Sequence, residues 1–207
     1  MVWIVGSFII KWAFEHTGSR PVGTNLDLQC YGYSVLWVGH PGLKVVQVIN
    51  LVHALLNWRR PPALLVIHAG GNYIGNMRCG LLRYNIKLIV KQLMQLLPNT
   101  TIVWSSILPR LRYRSSKNTK AMENCRTRIN RSLIDYVIKY KGKAIKYPEF
   151  NDRYPGLFFY VHLSFIGNDL ILNTIQGAFD TFLHNFHLSV YPLEQRFKSI
   201  WHDREKN

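Results

Sequence analysis

The sequence predicts an α/β fold in which a parallel sheet of about five strands is covered by helices on both faces, a three-layer αβα sandwich. Three observations predict it. Short, wholly apolar runs such as Leu64-Leu65-Val66-Ile67 lack the polar alternation of a half-solvated strand and suit strands buried on both faces. These runs alternate with longer segments whose apolar residues recur every three or four positions, the period of a helix with one buried face. The run that begins at Ala63 ends in His68-Ala69-Gly70-Gly71-Asn72, so a polar side chain is delivered just past a strand's carboxyl end, where open α/β sheets bind ligands.

In chain order, Val2 to Val5 is a buried strand, and Gly6-Ser7 turns into a helix over Phe8 to Glu15. The strand follows Met1 directly, so no segment is expected ahead of the domain. Ser19 to Leu28 is loop-like, with Pro21, Gly23 and Asn25. Val35 to Val38 is a second strand, broken by Gly39-His40-Pro41-Gly42. From Leu43, the positions Val45, Val46, Ile49, Val52 and Leu56 fall at helical spacing until Pro61-Pro62 stop the helix. After the Ala63–Ile67 strand, Leu82, Ile86, Ile89, Leu93 and Leu97 mark a helix closed by Pro98-Asn99. Thr101 to Ser105 is a strand, Met122 to Tyr140 a long helix, Lys143 to Tyr147 a strand, and Ser164 caps a last helix reaching Leu183. The strict alternation implies right-handed crossovers and a flavodoxin-like sheet. The domain is expected over 1–186, with 187–207 a basic C-terminal tail carrying a short amphipathic helix at Leu193 to Trp201.

Composition narrows the class. A chain of 207 residues, 48% hydrophobic, can bury a full core as one domain. Its formal charge of +15 favours anionic partners: nucleic acid, an anionic surface or phosphorylated substrates. Three cysteines, Cys30, Cys79 and Cys125, are odd in number and widely separated, which argues against a disulfide framework and for a reducing compartment, the cytoplasm or nucleus. The apolar N-terminus lacks the basic start of a signal peptide, and no stretch reaches the length of a membrane span, so a soluble intracellular protein is expected. None of the eight histidines shows ligand spacing such as H-E-x-x-H, and neither metal nor cofactor is expected.

Four loops should meet at the carboxyl edge of the sheet: Gly6-Ser7-Phe8, Gly39-His40-Pro41-Gly42, Gly70-Gly71-Asn72 and Tyr160-Val161-His162-Leu163-Ser164. Together they resemble the four blocks of the SGNH hydrolase superfamily, the GDSL-type esterases. Those blocks are a G-D-S-type turn after the first strand, a lone glycine, G-x-N-D and D-x-x-H, and the likeness runs from Trp3 to about Phe179. Within it, His68 to Asn72, Pro109-Arg110, Arg128 to Arg131 and Val161 to Asp169 resemble esterase-like reading frames of vertebrate mobile elements. The resemblance implies hydrolysis of an acyl or acetyl ester of a small molecule through an acyl-serine. Ser7 is the candidate nucleophile and His162 the base, with the Gly42 N–H and the Asn72 amide as oxyanion donors.

The chain departs from that pattern. With Trp3, Gly6, Trp12 and Ala13 aligned without a gap, the nucleophile position holds Phe8, and Ser7 serves only if the turn is one residue tighter. Three residues before His162, where the family's acid orients the imidazole, stands Phe159; the nearest upstream acids are Asp152 and Glu149. Tyr73 replaces the aspartate that usually follows the block's asparagine.

The alternative function is therefore an inactive pseudo-esterase that binds nucleic acid or another polyanion. Between Arg110 and Lys146 there are twelve Lys or Arg, Arg110, Arg112, Arg114, Arg126, Arg128 and Arg131 among them, against Glu123 and Asp135, with Tyr113, Tyr136 and Tyr140 interleaved. No RNA-binding or helix-turn-helix signature accompanies them.

Overall fold

The computed structural model describes residues 1–113, 118–151, 154–159, 162–185 and 187–193. The elements are β1 (Val2–Gly6), α1 (Phe8–Thr17), β2 (Val35–Gly39), α2 (Gln47–Leu56), β3 (Leu64–His68), α3 (Cys79–Leu96), β4 (Thr101–Ser105), α4 (Thr119–Lys139), β5 (Lys143–Ile145), β6 (Phe158–Phe159), β7 (His162–Leu163), α5 (Phe165–His184) and β8 (Val190–Tyr191). The main sheet runs in the order β2-β1-β3-β4-β5-β8, every pair parallel, and β6 and β7 form a separate antiparallel hairpin.

The continuous apolar runs have a direct cause. Successive residues of a strand face opposite sides of the sheet. Trp3, Val5, Leu65, Ile67, Ile102 and Trp104 pack with α2, α3 and α4, whereas Val2, Ile4, Leu64, Val66 and Val103 pack with α1 and α5. Both sides need apolar residues, so the strand sequence shows no alternation.

The sheet has six strands where about five were expected. The sixth, Val190–Tyr191, lies within the segment read as a basic tail, and two residues carry too little pattern to signal a strand. It is held by Lys143, which is buried, donates from Nζ to the Leu188 carbonyl at 2.6 Å and lies over the Phe182 ring at 5.0 Å. The tail helix anticipated from Leu193 falls, beyond that residue, outside the described residues.

Two helices start elsewhere than the spacing suggests. Leu43 and Val45 are buried but precede α2, in a turn where the Leu43 N–H donates to the His40 carbonyl and the Lys44 N–H donates to Gln47 Oε1. Helix α3 begins three residues before Leu82, at Cys79. Ser164 caps α5 as expected, its hydroxyl accepting from the Gly167 N–H at 3.1 Å.

Candidate functional site

Strand register builds the site. Gly6, at the end of β1, lies level with Gly39 in β2 and His68 in β3. The Ser7 turn, the His40–Gly42 loop and the segment Ala69–Tyr73 consequently emerge side by side. Backbone bonds hold them: the Ser7 N–H donates to the His68 carbonyl at 3.3 Å, and the His40 N–H donates to the Gly6 carbonyl at 2.9 Å.

Ser7 is the N-cap of α1 and only 8% exposed. Its carbonyl accepts from the Ile10 and Lys11 N–H groups, while its side chain makes no capping bond. Phe8 opens the helix, and its ring lies 4.5 Å from the His162 ring, centroid to centroid, at 37°, with Trp12 at 5.6 Å on an edge. The two rings are in tilted contact.

His162 sits on the β6–β7 hairpin, where Phe159 is its direct cross-strand partner. The position of the family's acid is therefore next to the histidine in the ladder, with an apolar residue in place of a carboxylate. Asp152, the nearest upstream acid, lies outside the described residues.

Of the two residues expected as oxyanion donors, Gly42 adopts φ +72° in an exposed turn, a left-handed conformation that favours glycine. Asn72 lies in a single 3-10 turn, Gly71–Tyr73, exposed to solvent. Its Oδ1 accepts from Arg110 Nη2 at 2.9 Å. A guanidinium only donates, so the amide oxygen must face Arg110 and the amide NH2 is turned the other way, available to an acceptor. Gly71 makes room for this contact, since a Cβ there would sit 3.2 Å from Arg110 Nη2.

In the sequence Arg110 stands out for its charge and as part of the Pro109-Arg110 stretch, neither of which links it to Asn72. Its loop is itself clamped from α4: Asn130 accepts from the Ile107 N–H and donates to the Ile107 carbonyl, both at 2.9 Å, and Arg126 Nη1 donates to the same carbonyl at 3.0 Å. Arg126 Nε also donates to Glu123 at 2.7 Å, and Glu123 accepts from the Tyr113 hydroxyl.

Behind the site runs a buried polar chain, in which His68 is the hydrogen-bonded core histidine that its place inside an apolar strand suggests. His68 Nδ1 lies 2.9 Å from Ser105 Oγ, which lies 2.6 Å from the Tyr147 hydroxyl. Burial, then the nearby Arg110 charge, pulls the His68 pKa down to about 4, and burial raises that of Tyr147. The chain is uncharged at neutral pH and supports the floor of the site. Its one sequence signal is that His68 and Ser105 both occupy the last position of an apolar strand.

The basic residues divide. Arg110, Arg126 and Lys143 are engaged internally, whereas Lys120, Arg128, Arg131 and Lys139 are exposed along α4 and Arg112 is exposed in its loop. Arg114 lies outside the described residues. Helix α3, packed beside α4, adds Arg83, Lys87 and Lys91 and carries no acid, extending the basic face beyond the 110–146 segment. Tyrosines sit among these cations: Lys87 lies over Tyr136 at 5.3 Å and Lys139 over Tyr140 at 5.8 Å. Across the sheet, α1 and α5 carry Glu15, Asp169 and Asp180 with Lys11 as their one Lys or Arg. Among the described residues there is no group of three His, Cys, Asp or Glu fit to hold a metal, and no helix long and apolar enough to cross a membrane.

No protein-family profile matches the sequence, and no curated protein matches it. Solved structures do. A candidate acylhydrolase of Bacteroides fragilis superposes with a TM-score of 0.67 at 20% identity, over 88% of this chain and 87% of that one. A GDSL-like lipase of Bacteroides thetaiotaomicron gives 0.66 at 18% identity over 87% of each chain. A Clostridium thermocellum family 3 carbohydrate esterase gives 0.66 at 16% identity, over 88% of this chain and 96% of that one. The six-stranded parallel sheet and its flanking helices are the fold of GDSL/SGNH-type hydrolases.

Proposed function

We propose that this chain is a non-hydrolytic relative of the SGNH esterases, a binding domain for nucleic acid or another polyanion. One observation carries the first half: the Phe8 ring against His162 at 4.5 Å. Acyl transfer needs a hydroxyl within hydrogen-bond reach of its base, and a phenyl ring has neither a proton to give up nor a lone pair with which to attack. Gly42, Asn72 and His162 stand where the resemblance places the oxyanion donors and the base, while the nucleophile position holds Phe8.

The second half rests on the unequal charge of the two helix layers. Helices α3 and α4 carry eight Lys or Arg against two acids, so a phosphate backbone laid along them releases counterions. Arg128, Arg131, Lys91 and Arg83 would contact phosphate, and Tyr84, Tyr136 and Tyr140 offer rings to bases. A cytoplasmic or nuclear location suits such a partner, as does the resemblance to reading frames of mobile elements.

A second reading keeps the enzyme. The Ser7 hydroxyl is not used in capping and stands at the N-terminus of α1, where the helix dipole favours a developing alkoxide. With His162 as base and Gly42 and Asn72 as oxyanion donors, it would hydrolyse a small acyl or acetyl ester. Binding of a fluorescent single-stranded oligonucleotide across a salt series tests the first reading. It predicts log affinity falling steeply with log salt; a slope near zero would exclude it.

A further inference from the structure

Between the β3–α3 connection and α4, a cavity of about 600 Å³ is lined by Met77, Cys79, Met122 and Cys125, together with Arg78 and Arg128. Two of the three cysteines and two of the four methionines of the chain thus meet in one place. Local geometry brings them there. Arg78, with φ −57° and ψ +132°, joins Met77 to Cys79, the first residue of α3, and both line the cavity. Met122 and Cys125, three apart on α4, share a helix face. The two pairs are in contact, because the Cys79 thiol donates to the Cys125 carbonyl at 3.7 Å. Met77 Sδ accepts only a weak bond from Asn85 Nδ2, at 3.6 Å.

We propose that this cavity is a binding site for a soft monovalent metal ion, Cu(I), held by the thiolates of Cys79 and Cys125 and assisted by the thioethers of Met77 and Met122. Thiolate and thioether sulfur selects Cu(I) over hard cations, and among the described residues neither carboxylate nor imidazole lines the cavity to favour Zn(II). Binding breaks two S–H bonds and forms two Cu–S bonds, releasing two protons to solvent. The product carries one net negative charge, which Arg78 and Arg128 are placed to offset. Copper enters and stays as Cu(I), so no oxidant or reductant is consumed.

The test is an anaerobic titration of the intact chain with Cu(I) against a coloured Cu(I) chelator, with proton release followed in weak buffer. The expected result is one Cu(I) withheld per chain, about two protons released per metal, and unchanged retention in Cys30→Ser. Cys79→Ser should abolish retention, and Met122→Leu, which preserves packing volume, should weaken it at least about tenfold while leaving the melting temperature near that of wild type. Retention that survives Cys79→Ser, retention abolished by Cys30→Ser, or failure of the folded wild type to withhold copper would each overturn the site and leave the sulfurs as packing groups.

Discussion

The ring of Phe8 lies 4.5 Å from the ring of His162, centroid to centroid, so the first residue of α1 is in direct contact with the imidazole proposed as the ancestral base. The same histidine has Phe159 opposite it in the β6–β7 ladder. Aromatic residues thus stand at both positions that the resemblance assigns to the nucleophile and the acid.

Replacing the Phe8 ring gives the first prediction. In Phe8→Ser the hydroxyl returns to the position the resemblance assigns to the nucleophile, and short-chain ester turnover should rise above that of wild type. The gain should be small, because removing the acid from a complete triad costs about 10⁴-fold in kcat and Phe159 supplies none. A chromogenic acetyl ester read over hours detects it.

Arg110 should matter to that recovered activity through Asn72 and not through substrate contact. In the Phe8→Ser background, Arg110→Ala frees the Asn72 amide to rotate, and kcat should fall by up to about 10²-fold, the lower end of the cost of losing one oxyanion donor. Arg110→Lys, a donor without the planar fork, should restore part of the activity; an equal fall in both variants would mean that Asn72 is not oriented this way.

The layer of α3 and α4 predicts a salt effect. Changing Lys91, Arg128 and Arg131 together to Gln should lower the slope of log affinity against log salt by about 0.7 for each single-strand phosphate that is no longer neutralised. Lys11→Gln, on the opposite layer, should leave the slope unchanged.

His68 predicts a pH dependence of stability. Its native pKa of about 4 lies below the 6.5 of an ordinary histidine, so between those values the unfolded chain takes up a proton that the native chain refuses. The contribution is complete above pH 6.5 and disappears as pH falls towards 4, up to about 3 kcal/mol. Urea unfolding midpoints from pH 4 to 7 should therefore rise with pH more steeply in wild type than in His68→Gln.

A local stability test concerns the cap beneath the histidine. Ser164→Ala removes the acceptor for the Gly167 N–H and should cost about 1 kcal/mol in denaturant unfolding.

The strands and helices were legible because apolar runs and three- to four-residue spacing directly encode burial on two faces of a parallel sheet. Residues 190–191 and the hairpin of β6 and β7 were not, since two-residue strands are made by pairing partners and have no periodicity of their own. At the site, Ser7, Gly42, Asn72 and His162 could be named from block order and loop convergence. The contacts that decide their roles could not. Whether Phe8 or Ser7 faces His162 depends on where α1 begins, and the Arg110–Asn72 bond joins residues 38 apart through a loop clamped by Asn130. Likewise the basic face depended on helix packing: α3 joined it, while Arg126 and Lys143 turned inward.

Whether Phe8 disables the histidine is read most directly from ester turnover of wild type beside Ser7→Ala and His162→Ala at matched folded concentration. All three should show the same background rate. Wild-type turnover above background that vanishes in both variants would contradict this and restore Ser7 as a working nucleophile.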